Sequence, residues 1–216
     1  MRDIFHDELE AINETLIRMS GLVKEAMADA TKALLNTDLQ LAEKVIAADD
    51  AIDEIHHDLD NRTINLMARQ QPVASDLRNL VSTLRISADL ERMGDLAHHV
   101  AKTARMRYPN CAVPESLKPI LADMDRVAGT ISDKLAIVLQ YKDTTRALEL
   151  DNDDDAMDDL HRKLIAALLS DDWTHGIEPA IDMTLLGRYY ERFGDHAVSI
   201  AQRVYFTVTG EYVSAE

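Results

Sequence analysis

Cysteine is nearly missing from this chain: Cys111 stands alone, so no intrachain disulfide closes and no cysteine-built zinc or iron–sulfur site forms. Glycine and proline are also sparse, 7 and 5 in 216 residues, too few for the tight turns of an all-β sandwich. Bases are outnumbered, with Lys+Arg 23 against Asp+Glu 39 and a net charge of −16. That balance excludes duplex nucleic acid and an anionic membrane surface as partners, because phosphate binding draws on clustered Lys and Arg. No run approaches the ~18 apolar residues of a membrane span, and Met1-Arg2-Asp3-Ile4 lacks the apolar core of a signal peptide. A cytoplasmic protein is expected. Phosphate loop, dinucleotide fingerprint and nucleophile elbow are all absent, so no enzyme is expected either. The run Asp151-Asn152-Asp153-Asp154-Asp155 resembles the start of a calcium loop but lacks its downstream glycine and closing glutamate.

Apolar residues make up 46% of the chain, and they fall in stripes. Phe5, Leu9, Ile12, Leu16, Met19, Val23, Ala26, Ala30 and Ala33 recur at alternating steps of four and three, the seam of a long helix. That helix stops near Asn36, where Thr37 or Asp38 caps the next. The second stripe is Leu41, Val45, Ala48, Ile52, Ile55, Leu59, and Pro72 ends its helix around residues 69–71. A third helix runs from about Val73 to Arg107. The clearest break, Pro109 to Pro114, falls near the midpoint. Three more helices follow, over about Glu115–Tyr141, Thr145–Ser170 and Glu178–Thr209, the last ended by Gly210.

The second half repeats the first. Glu91-Arg92-Met93-Gly94-Asp95 returns as Glu191-Arg192-Phe193-Gly194-Asp195, displaced by 100 residues. Asp49-Asp50-Ala51-Ile52-Asp53 returns as Asp154-Asp155-Ala156-Met157-Asp158, displaced by 105. The spacing predicts an all-α six-helix bundle of two tandem three-helix repeats, 1–108 and 109–216.

Within the repeated segments, acids pair four residues apart: Asp49/Asp53, Glu91/Asp95, Asp154/Asp158 and Glu191/Asp195. On a helix such residues stack roughly 5–6 Å apart, where like charges repel by a few tenths of a kcal/mol. An oxygen-preferring cation reverses that sign, and two facing pairs offer it four carboxylates. One such pair in an acid-rich chain is most simply a solvated face; the return of all of them in matching places is the stronger signal. Each pair lies one residue round from its helix's apolar seam, as Glu91 and Asp95 do beside Ile86, Leu90, Met93, Ala97 and Val100. The sixth helix does the same beside Leu186, Tyr190, Phe193, Ala197 and Ile200. Gly94 and Gly194 cost their helices about 1 kcal/mol each relative to Ala and free space for a cluster or a close helix neighbour. His56, His57, His98, His99 and His196 lie near the acidic rows, as extra ligands or simply as surface residues. Arg92 and Arg192 are placed to neutralise their acidic neighbours, and Trp173 to pack a turn.

Taken with Gln70-Gln71-Pro72-Val73-Ala74-Ser75-Asp76-Leu77-Arg78 and the closing Thr209-Gly210-Glu211, the two Glu-Arg-x-Gly-Asp segments make the chain resemble the PhoU family. The resemblance spans nearly the whole sequence. It implies a cytoplasmic negative regulator that links the phosphate ABC transporter, through its ATPase, to the phosphate-sensing histidine kinase. A homodimer is the assembly expected. It also implies multinuclear metal clusters of iron or zinc, with manganese or magnesium as substitutes, on Glu/Asp-x-x-x-Asp motifs. By position, Asp49, Asp53, Glu91 and Asp95 would hold one cluster and Asp154, Asp158, Glu191 and Asp195 the other, with Asp50 and Asp155 as additional ligands. The Gln-Gln-Pro-Val-Ala stretch has no counterpart around Leu169–Trp173, so any docking role of that stretch belongs to one half. Two rival readings remain. A di-iron carboxylate enzyme needs two inward Glu-x-x-His motifs, and Glu54/His57 is the one match. A metal-free helical scaffold needs none.

Overall fold

The computed structural model of the chain describes residues 2–213, and long helices account for most of them. α1 covers Arg2–Asn36, and its stripe turns inward from Phe5 to Ala33. The Asp38 carboxylate accepts the Leu41 N–H at 3.0 Å and so caps α2 (Leu39–Gln70). Gln71 closes α2 in a left-handed conformation, and Pro72 prevents continuation. α3 spans Ala74–Arg107. After the break, a single 3₁₀ turn over Glu115–Leu117 leads into α4 (Lys118–Tyr141), so the predicted start at Glu115 is a tighter turn than expected. Asp143 caps α5 (Thr144–Leu168) through the Arg146 N–H. α5 stops two residues before the predicted Ser170, because Ser170 begins a turn in which its carbonyl accepts the Trp173 N–H. Trp173 fills that turn as predicted, its indole donating to the Gly176 carbonyl at 2.9 Å. α6 (Ile177–Thr209) ends at Gly210, whose φ of +82° is one that glycine adopts without penalty.

Helices α1, α2 and α3 pack on one another, as do α4, α5 and α6, and the two sets join along α1–α4 and α3–α6. One continuous apolar core runs through both halves, including Met19, Leu59, Leu90, Met124, Leu164 and Phe193. At its centre the Thr31 and Tyr190 hydroxyls share a buried hydrogen bond of 2.5 Å across the halves. α3 and α6 run antiparallel, related by a pseudo-twofold that pairs position 89 with 199 and position 99 with 189. Asp89 accepts from Ser199 at 3.1 Å, and the His99 ring packs on Tyr189.

One predicted seam residue is wrong. Ala48 is exposed, and the inward row of α2 reads Val45, Asp49, Ile52, His56, Leu59, Thr63, Leu66. Steps of four and three pass equally well through residue 48 or 49. Apolarity favours Ala48, but the space opposite Gly94 admits the Asp49 side chain.

Candidate metal centres

Because Asp49 lies in the seam, the first acidic group sits deeper between α2 and α3 than a helix edge. Its side chain is 12% exposed, against 22% for Glu91. A β-carbon at Gly94 would lie 3.6 Å from Asp49 Oδ1 and 3.2 Å from two Ile52 carbons, so the missing side chain is what lets α2 approach. Burial first, then the charges of Asp49 and Asp95, raise the Asp53 carboxyl above its usual range. Burial and then Asp95 raise Glu91 likewise. Asp49, Asp53, Glu91 and Asp95 therefore lie near enough for their charges to act on one another.

α5 and α6 build the same arrangement. Here the inward row is Leu150, Asp154, Met157, His161, Leu164, the α2 row displaced by 105. Asp154 presses on the backbone of α6, where a β-carbon at Gly194 would stand 2.0 Å from its Oδ1. Burial, followed by the charges of Asp195 and Asp158, pushes the Asp154 carboxyl up to about 7. Glu191 is raised by burial and then by Asp195, and is 14% exposed. Asp158 and Asp195 are exposed and complete the group at its solvent side, while Asp50 and Asp155 point outward.

The histidines sort differently from expectation. His98 bonds Asp49 directly and belongs to the first group. His56 and His161 occupy equivalent inward positions, and their charges act on Glu91 and Glu191 respectively. His161 was missed in the sequence, although a displacement of 105 from His56 identifies it. His196 instead bonds Asp89 at 3.0 Å, within a network that also takes in Ser199 and Arg203. Burial raises the Asp89 carboxyl, but the bonds from His196, Arg203 and Ser199 outweigh it and hold it below the usual range. That network joins the halves and is separate from the acidic groups. Arg92 pairs with Asp95 at 2.8 Å and with Glu91 at 3.6 Å, as expected. Arg192 is exposed, and in the second half it is Arg188 that pairs with Glu191.

Among the described residues, no three His, Cys, Asp or Glu side chains converge as they stand on one metal position. The donors are nonetheless suited to a cation. Asp154 Oδ1 and Glu191 Oε2 are buried and lack any hydrogen-bond partner, and His98 Nε2 is likewise unpaired. An orphaned buried carboxylate oxygen costs about 1–3 kcal/mol or more unless something satisfies it. A polyvalent cation would do so in the second half, and in the first it would take His98 Nε2 as a ligand. Glu54 and His57, by contrast, are both exposed, which removes the one Glu-x-x-His match from any interior di-iron site.

A duplicated helical bundle with a partly buried acidic group between the second and third helices of each half defines an all-helical class of protein. Among the described residues, no helix is long and apolar enough to cross a membrane. The PhoU domain model matches twice, over residues 16–104 and 121–204. The chain is 45% identical over 212 residues to "Phosphate-specific transport system accessory protein PhoU homolog 2" of Mycobacterium tuberculosis, covering 98% of this chain and 100% of that one. It is 44% identical to the PhoU homolog 1 of Mycobacterium leprae, covering 98% and 96%. The crystal structure of PhoU from Pseudomonas aeruginosa superposes with a TM-score of 0.86 at 30% identity, covering 96% of this chain and all of that one. The chain belongs to the PhoU family.

Proposed function

We propose that this protein regulates phosphate-specific transport from the cytoplasm, and that its two acidic groups hold metal clusters that set the shape and charge of its partner-binding faces. Its relatives are named as accessory proteins of the phosphate-specific transport system, and that role carries over at their level of identity. The finer reading is a negative regulator that couples the transporter's ATPase to the phosphate-sensing histidine kinase. It reaches the membrane through those partners alone and works as a homodimer.

The observation that carries the metal reading is the matched pair of centres. In each half an inward aspartate lies against a glycine, opposite a half-buried glutamate of the facing helix. A bound cation would cancel the repulsion between stacked acids in both halves and satisfy the unpaired Asp154 and Glu191 oxygens in the second. Asp49, Asp53, Glu91 and Asp95 would hold the first cluster, and Asp154, Asp158, Glu191 and Asp195 the second. Iron or zinc suits a set that mixes carboxylate with imidazole from His98, whereas magnesium prefers oxygen and water alone. Without metal the chain's −16 charge would repel acidic partner surfaces and each half's helices would push apart at these acids.

The test is elemental analysis of purified protein, wild type against Asp154→Ala/Glu191→Ala, followed by pull-down of the transporter ATPase and the sensor kinase by each. Metal lost from the variant together with partner binding supports the reading. Equal metal content in the two proteins overturns the assignment of the second centre. Retained partner binding by metal-free protein overturns the link between metal and regulation.

A further inference from the structure

The signature segments at residues 70–78 and 209–211 take no part in either acidic centre, yet they meet in space. Beside that meeting point, Ala74, Leu77 and Arg78 of the first segment wall a cleft of about 470 Å³ with Arg85, Phe206 and Tyr212, between the start of α3 and the end of α6. Arg78 lies over Gly210, where a β-carbon would approach its Nη1 to 2.5 Å. Its guanidinium also stacks 5.5 Å above the Phe206 ring, whose other partner is Tyr212 in a parallel stack at 4.3 Å. Among the described residues, Arg78 Nε is buried and has no hydrogen-bond partner, and neither Arg78 nor the exposed Arg85 has an acidic partner. Arg203, the third arginine of the cleft, is neutralised by Asp89 at 3.2 Å.

The pseudo-twofold makes this vacancy of charge informative. At the opposite end of the α3–α6 pair, Arg107 Nε and Nη2 donate to Asp182 at 2.6 and 2.9 Å, and Nη1 donates to Glu178. The positions related by 100 residues to Arg107, Asp182 and Glu178 are Thr207, Ser82 and Arg78. One end therefore carries its own acid and base. The other has exchanged its acids for a serine and an arginine, in a chain with 39 acids against 23 bases. This end of the α3–α6 pair is left basic.

We propose that this cleft binds a phosphoryl dianion, free or carried on a small molecule, through Arg78 and Arg85. Two unpaired guanidiniums match two negative charges, and the guanidinium fork fits a phosphoryl group with paired hydrogen bonds. The cleft is far larger than one oxyanion. Leu77 and Val81, both exposed along its wall, offer apolar surface to an organic remainder. None of its lining residues belongs to the carboxylate centres.

Calorimetric titration of the full chain as purified tests it, the arginine variants separating this cleft from any metal-held anion. The probes are inorganic phosphate, phenyl phosphate and, as a dianion without phosphorus, succinate. Binding of either phosphorus compound is expected, weakened at least tenfold by Arg85→Gln and by Arg78→Gln, and unchanged by Arg192→Gln. A charge-assisted contact to phosphate is worth about that factor or more. Arg85 is exposed, so its variant keeps the fold even where Arg78→Gln disturbs the Gly210 contact. Preference between the two phosphorus probes tells a free from a carried phosphoryl group. Absence of binding to both, equal binding of succinate, or indifference to Arg85→Gln overturns the proposal.

Discussion

The Oδ1 atom of Asp154 occupies the space that a side chain at position 194 would need: an added β-carbon at Gly194 would lie 2.0 Å from it. α5 approaches α6 this closely only because residue 194 has no side chain, and the carboxylate uses the room. Gly194→Ala should improve intrinsic helix propensity by about 1 kcal/mol and still destabilise, by up to about 2 kcal/mol net, because overpacking at roughly 1–3 kcal/mol outweighs that gain. At Gly94 the nearest atoms are 3.2 Å away, on Ile52, so Gly94→Ala should cost less. Thermal unfolding of the two variants side by side checks the order, and a milder effect at 194 would contradict it.

The two acidic centres lie in different halves and share no side chain. Asp49→Ala/Glu91→Ala and Asp154→Ala/Glu191→Ala should each remove about half of the bound metal, and the quadruple variant nearly all of it. Elemental analysis per chain reads this directly. Loss of all metal from one double variant would mean a single shared site.

Asp125 on α4 is half-buried, and burial raises its carboxyl above the usual range, with the Thr31 hydroxyl pulling the other way. A carboxyl raised in the folded state favours folding when protonated. The resulting penalty is absent below the unfolded carboxyl range, near pH 4, and complete above the folded value. Asp125→Asn should therefore raise Tm at pH 8, with the gain fading as the pH falls toward about 4. A gain independent of pH would trace to packing instead.

Among the described residues, Arg107 is the one basic partner of Asp182, whose side chain is 5% exposed. Removing it leaves a buried carboxylate without compensation, which is far costlier than losing a surface pair. Arg107→Ala should lower Tm by at least about 5 °C. Arg107→Ala/Asp182→Ala should recover part of the loss, and a double-mutant cycle measures the coupling. Equal Tm for the single and double variants would show that the contact does little.

How far the sequence could be read depended on how many patterns competed at each position. Helix spans and the seams of α1, α3 and α6 came directly from the four-and-three spacing, since Leu90, Met93, Tyr190 and Phe193 admit no other inward row. In α2 two rows were compatible with that spacing, and apolarity selected Ala48 over Asp49. His161 is marked only by its displacement of 105 from His56, a signal carried by the repeat and not by any apolar period. The His196–Asp89 bond joins residues 107 apart, a separation that no local pattern encodes.

Local and repeated features were settled by the chain's own order. Apolar period, caps such as Asp38 and Asp143, and the duplicated acid-glycine segments all follow from neighbours within a few turns. Which acids turn inward, which arginines find partners, and how Arg78 and Phe206, 128 residues apart, come to wall one cleft were settled by packing. Side-chain environments depend on what the opposing helix leaves empty, and a glycine on one helix acquires meaning only when another is laid against it.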